Sequence, residues 1–92
     1  MNAPAALPAG QADLVALIRR ELSDIRPQKL AGEWSDAARF IDDLGLDSLD
    51  LVELVARLEQ STGLYVPDED LKLLTSVADT AAYVRSRQTD NA

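Results

Sequence analysis

The chain predicts an all-α fold: a small four-helix bundle, three main helices plus one short helix, with a long first loop. Three observations predict it. Apolar residues recur at helical spacing in three separate stretches, around residues 14–25, 51–62 and 77–84. Helix-stopping residues, Pro27, Gly32, Gly45, Gly63 and Pro67, stand between those stretches. A length of 92 residues at 47% hydrophobic suits one domain with a modest core and leaves little room for a deep catalytic cleft beside it.

Taken in order, residues 1–11 are mostly Ala, Pro and Gly, a composition that buries too little surface to offset ordering, so a flexible N-terminal tail is expected. The folded domain is expected over 12–85. Its first helix carries Leu14, Ile18, Leu22 and Ile25 on one side, with Asp13 near its positive end, and stops before Pro27. Residues 26–47 have no sustained period and need anchors, for which Leu30, Trp34, Phe40, Ile41 and Leu44 are the candidates. Residues 35–38 are suited to one short helical turn, and Trp34 is read as a loop anchor. Past the central helix, Gly63 marks the stop, Leu64, Tyr65 and Val66 are extended, and Pro67 starts a short helix through about Leu74, with Leu71 and Leu74 facing inward. Ser76 and Asp79 have capping-box spacing, and Val77, Ala81 and Val84 with Tyr83 form the apolar side of the last helix. Residues 86–92 are read as a second flexible tail.

The central helix, residues 49–62, is apolar on two opposite sides. Stepping about 100° per residue gathers Leu51, Leu54, Val55, Leu58 and Thr62 into a core stripe. Leu49 falls nearly opposite, flanked by Val52 and Ala56 and ringed by Asp50, Glu53 and Glu59. A helix that packs on one face has no folding reason for a second apolar strip. A partner surface supplies one, although scattered surface Leu and Val are ordinary.

Charge sharpens that reading. The net charge is −7. Residues 40–70 hold nine acids against one base, Arg57, whereas the remainder holds seven acids and eight bases. The excess thus lies on the central helix and its flanking loops, which steers basic protein surfaces there and repels nucleic acid. The absence of Cys removes disulfides, thiolate nucleophiles and Cys-ligated zinc, and the absence of His removes the usual acid-base and metal-binding side chain. Catalysis by the chain itself is therefore the weakest functional class. No basic start with an apolar block and no apolar run near the ~20 residues of a membrane span is present, so a cytoplasmic protein without a membrane anchor is expected.

Metal and nucleotide motifs fail on their spacing. A calcium loop running from Asp42 to Glu53 would place Leu44 and Leu46 where oxygen ligands belong and Asp47 where Gly belongs. The four glycines are too scattered to cradle a phosphate, and acids such as Asp68 and Asp70 read as a solvated face. Ser48 has no His or neighbouring Lys to activate it as a hydrolase nucleophile. It does sit at the start of a helix, where backbone N–H groups and the dipole stabilise a phosphate. Ser is also a common N-cap, but Asp47 and Asp50 have capping-box spacing of their own, which would leave the Ser48 side chain free.

The segment Leu44-Gly45-Leu46-Asp47-Ser48-Leu49-Asp50, continued by Val52-Glu53-Leu54-Val55 and Leu58-Glu59, resembles the attachment motif and recognition helix of the acyl carrier proteins. Val66-Pro67-Asp68-Glu69-Asp70 and Thr75-Ser76-Val77 follow at the family's distances, and the likeness runs from Phe40 to Val84 and less tightly over the first helix. The resemblance implies the acyl-carrier bundle and a covalent 4'-phosphopantetheine, moved from coenzyme A to Ser48 by a phosphopantetheinyl transferase. It implies a non-catalytic shuttle of acyl thioesters, with Asp47, Leu49, Asp50, Val52, Glu53, Ala56, Glu59, Val66 and Asp68 meeting partner enzymes. Those partners would be a ketosynthase, an acyltransferase or acyl-activating ligase and other enzymes of fatty-acid or polyketide-type biosynthesis. It implies an acyl-chain cleft lined by Leu51, Leu54, Leu58, Leu71 and Leu74.

Thr62, Leu64, Tyr65, Ala56 and Arg57 depart from the family pattern and point toward a specialised pathway. A discrete, monomeric carrier is expected. An aminoacyl or peptidyl carrier ranks second, because its motif more often has a second Gly and a less acidic helix. An unmodified helical adaptor using the Leu49 strip is the third reading.

Overall fold

A computed structural model describes residues 10–90. The expected N-terminal tail lies outside the described residues, apart from Gly10 and Gln11, as do residues 91 and 92 of the expected C-terminal one. Three α-helices, α1 (Gln11–Ile25), α2 (Ser48–Thr62) and α3 (Val77–Asp90), are joined by a long loop and, between α2 and α3, a short 3₁₀ helix (Asp68–Leu73). The sequence places α3 too short, since residues 86–90, expected as tail, continue the helix.

Each helix buries the stripe its periodicity specifies. Leu14, Ile18 and Leu22 of α1, together with Leu17, pack with Leu51, Leu54 and Leu58 of α2 and Val77, Ala81 and Val84 of α3. Ile25, at the end of α1, is only half-buried. The α1 helix lies against both other helices and organises this core. A second, smaller cluster of Val55, Val66 and Leu74 sits under the 3₁₀ helix, with Leu71 and Tyr83 packed on it. Thr62 takes a core position and stays satisfied there, because its buried hydroxyl donates to Leu58 O at 2.7 Å.

The loop over 26–47 is fastened at several points. Leu30, Phe40 and Leu46 are buried in the main core. Trp34 is half-buried, donates Nε1–H to Leu30 O at 3.3 Å and carries the Arg19 guanidinium 3.8 Å from its ring centroid, so it is an anchor. Ile41 fails as one: it is exposed, because the adjacent Phe40 takes the inward position. Residues 35–38 form a turn closed by Ala38 N–H to Ser35 O at 3.0 Å. The middle of the loop is stitched to the start of α3 by Phe40 N–H to Thr75 O at 2.8 Å and Ala78 N–H to Asp36 O at 3.0 Å.

At α3 only half of the expected capping box forms. Asp79 N–H donates to Ser76 Oγ at 3.1 Å, while the Asp79 carboxylate accepts from the Thr75 hydroxyl instead. The stop of α2 is as expected: Gly63 adopts φ 76 and its N–H donates to Glu59 O. An added Cβ at Gly63 would meet no atom within 4 Å, so only backbone strain opposes it. Gly63→Ala is therefore expected to destabilise the domain by about 1–2 kcal/mol, read as a lower urea midpoint at unchanged slope.

Candidate functional site

The site is built at the start of α2, where the chain turns from a buried position to an exposed one within two residues. Gly45 takes φ 73, in the left-handed region, and Leu46 N–H donates back to Phe40 O at 2.9 Å. This turn drives Leu46 into the core and brings Asp47 out as the extended N-cap of α2. The Asp47 carboxylate accepts from Asp50 N–H at 3.0 Å, and Asp50 returns the bond by accepting from Asp47 N–H at 3.0 Å. The Ser48 side chain, exposed on the first residue of the helix, stands outside this capping box. Its hydroxyl lies in the positive field of the helix end.

Arg26, from just past α1, completes the arrangement. Its Nε donates to Asp50 Oδ1 at 2.8 Å, and its Nη2 lies 3.8 Å from Asp47 Oδ2. Burial pushes the Asp50 carboxyl up, but the Arg26 hydrogen bond, the Asp47 N–H and the Arg26 charge together outweigh it and hold the carboxyl below its ordinary value. The folded value being depressed, Asp50 adds stability above the ordinary carboxylate value, and that part is lost as pH falls through the depressed value. Asp50→Ala is expected to lower stability at neutral pH by about 1–3 kcal/mol, and acidification should shrink its difference from the parent chain. Urea titrations at neutral and acid pH check both.

Asp50 is thus corrected from a partner-facing residue to a structural one: it is 6% exposed and engaged inside the chain. Val66 is corrected likewise, being buried in the smaller cluster. Glu59 is half-buried and accepts from Val66 N–H at 2.8 Å, so it fastens the chain after α2. The strip itself is outward: Leu49 is 75% and Val52 51% exposed, and Ala56, Asp47, Glu53 and Asp68 are exposed. Arg57 pairs with Glu53 and with Glu21 of α1, so the base on this helix is neutralised within the bundle.

Beside the start of α2 lies a cavity of about 400 Å³ lined by Arg39, Phe40, Ile41, Asp42, Leu51, Leu71, Lys72, Leu74 and Thr75. Of the five leucines expected in an acyl cleft, Leu51, Leu71 and Leu74 line it. Leu54 and Leu58 do not; both are buried in the main core among apolar residues of α1 and α3. Phe40 and Ile41 take their places on the loop side, and the loop's lack of periodicity gave no sign of this. Sequence reasoning also missed Arg26, whose partner Asp50 is 24 residues away. Its only local mark is a cation just before Pro27.

Residues 12–84 match the family model of the phosphopantetheine attachment site. The meromycolate extension acyl carrier protein of Mycobacterium tuberculosis (strain ATCC 25618 / H37Rv) is 35% identical over 88 residues, which cover 92% of this chain and 73% of the relative. The acyl carrier protein of Bdellovibrio bacteriovorus is 46% identical over 63 residues, 68% of this chain and 76% of the relative. That of Akkermansia muciniphila is 53% identical over 51 residues, 55% of this chain and 64% of the relative. The cofactor of this domain is phosphopantetheine. An exposed hydroxyl at the positive end of a fifteen-residue helix, relieved of capping duty by its neighbour, fits a group joined through a phosphate.

Proposed function

The chain belongs to the acyl carrier protein family, and we propose that it bears its phosphopantetheine on Ser48 and presents acyl groups to the enzymes of a fatty-acid or polyketide-type pathway. The observation that carries this reading is the exposed Ser48 hydroxyl, left free by the Asp47 and Asp50 capping box and set beside the outward Leu49 strip. When bound, the group supplies a terminal thiol that holds acyl groups as thioesters.

The chain's own residues do the rest. Backbone N–H groups at the start of α2 would serve a phosphate joined to Ser48, since an exposed helix end favours an anion by about 0.3–1 kcal/mol. Asp47, Glu53 and Asp68 offer charge to basic partner patches, and Leu49, Val52 and Ala56 offer the apolar centre. The partners are a phosphopantetheinyl transferase and then a ketosynthase, an acyltransferase or acyl-activating ligase. The chain has neither Cys nor His, which agrees with a shuttle that leaves chemistry to those enzymes. The cavity beside Leu51, Leu71 and Leu74 is proposed to shelter the acyl chain. Relatives named as meromycolate extension acyl carrier proteins favour an acyl cargo over an aminoacyl one.

Incubation with coenzyme A and a broad-specificity transferase tests the proposal: intact mass rises by one phosphopantetheine. No gain would return the chain to the adaptor reading.

A further inference from the structure

The cavity beside α2 has two unlike walls. Phe40 and Leu51, held in the main core, form the floor of one, with the exposed Arg39, Ile41 and Asp42 at its rim. Leu71, Lys72, Leu74 and Thr75 form the other, from the 3₁₀ helix and the residues just after it. No residue of that helix is buried, and its apolar footing is the smaller cluster under Leu71 and Leu74 rather than the main core. A 3₁₀ helix also has poorer hydrogen-bond geometry than an α-helix, so this wall is intrinsically the weaker one.

The end of that wall is tied across to the loop by Phe40 N–H to Thr75 O at 2.8 Å, and the 3₁₀ helix itself is fastened to α3 by one carboxylate. Asp70 Oδ2 accepts from the Tyr83 hydroxyl at 2.5 Å and from Arg87 Nη2 at 2.7 Å. Both donors belong to α3 and lie one helical turn apart. The Arg87 guanidinium also sits 5.1 Å from the Tyr83 ring centroid, and that ring packs against both apolar clusters. The Asp70 side chain is 19% exposed, so these charge-assisted bonds are partly shielded from water at the carboxylate, although Arg87 remains partly exposed. The hydrogen bonds from Tyr83 and then Arg87 hold the Asp70 carboxyl below its ordinary value, so it is ionised and the cluster intact at neutral pH.

We propose that Asp70, Tyr83 and Arg87 form a latch that closes the 3₁₀ helix over the cavity, and that this wall, not the α-helical bundle, yields to set how long an apolar chain the cavity admits. The size selection rests on the acyl-carrier reading; the latch itself does not.

Two experiments test it, and their failures are distinguishable. In the unmodified protein, native-state amide exchange of residues 68–75 is followed at low urea. Those amides are expected to exchange through an opening with a urea slope well below that of global unfolding. In the double variant Tyr83→Phe, Arg87→Gln they should exchange about tenfold faster at the same small slope. Exchange at the global slope, or no acceleration in the variant, overturns the latch whatever the chain carries. With octanoyl and hexadecanoyl cargo loaded on the arm, cleavage by hydroxylamine is then compared. The parent should protect the short chain more than the long one, and the variant should narrow that ratio severalfold. An unchanged ratio overturns the size selection while leaving the attachment at Ser48, read by mass, untouched.

Discussion

Ser48→Ala is expected to abolish the gain of phosphopantetheine completely while leaving stability within about 0.5 kcal/mol of the parent chain. The two halves of that expectation have separate causes. Attachment needs a hydroxyl oxygen, and alanine offers none. Stability is indifferent because the cap of α2 is Asp47, which accepts from Asp50 N–H, and the Ser48 side chain is exposed and outside that exchange. Were Ser48 itself the N-cap, its loss would cost about 0.5–2 kcal/mol. Intact mass after incubation with coenzyme A and transferase reads the first half, and the urea midpoint reads the second. A persisting mass gain would place attachment at another residue, and a large loss of stability would mean that the serine caps the helix after all.

Leu54→Ala is expected to destabilise the domain by about 2–5 kcal/mol. Leu54 has no exposed surface and lies in the main core, where a deleted isopropyl group leaves a void that α1 and α3 cannot close without moving backbone. Against the roughly 5–15 kcal/mol of a typical domain this removes a large share of the total. At about 4–8 °C per kcal/mol for a chain of this size, the melting temperature should fall by at least ~8 °C. Leu49→Ala, the same chemical change on the same helix, is expected to stay within about 0.5 kcal/mol, because Leu49 is 75% exposed. Equal losses from the two variants would mean that the Leu49 face is buried in solution.

Much of this arrangement was legible in local patterns. Leu14, Ile18 and Leu22 mark the inner face of α1, and Leu51, Leu54, Leu58 and Thr62 that of α2, because helical spacing alone tells which side chains share a face. Gly63 shows where α2 ends, since few other residues accept its left-handed conformation. The pairing of Asp47 with Asp50 needed only three residues of context, and it led directly to a free Ser48. Patterns failed where the outcome depended on what lies across a gap. Asp50 and Asp47 look alike as acids beside a serine, yet Arg26 draws Asp50 inward. Val66 reads as an extended surface residue until Val55 and Leu74 close around it. Ile41 and Phe40 are equally apolar neighbours, and only the bond from Phe40 N–H to Thr75 O shows which of them turns in.

What the chain's order of residues determined by itself is the set of helices, the face each one buries, the acidic character of α2 and its loops, and the hydroxyl offered at the start of α2. These are properties of neighbours along one axis, within reach of a hydrogen bond or a helical turn. The tertiary structure alone decided which acids are buried or paired inside the chain and which stay exposed, which leucines border the cavity, and what holds the 3₁₀ helix in place. Each of those depends on groups far apart in the chain, as when Asp70 meets Arg87 across 17 positions, and burial and charge pairing are settled only by the folded distances between them.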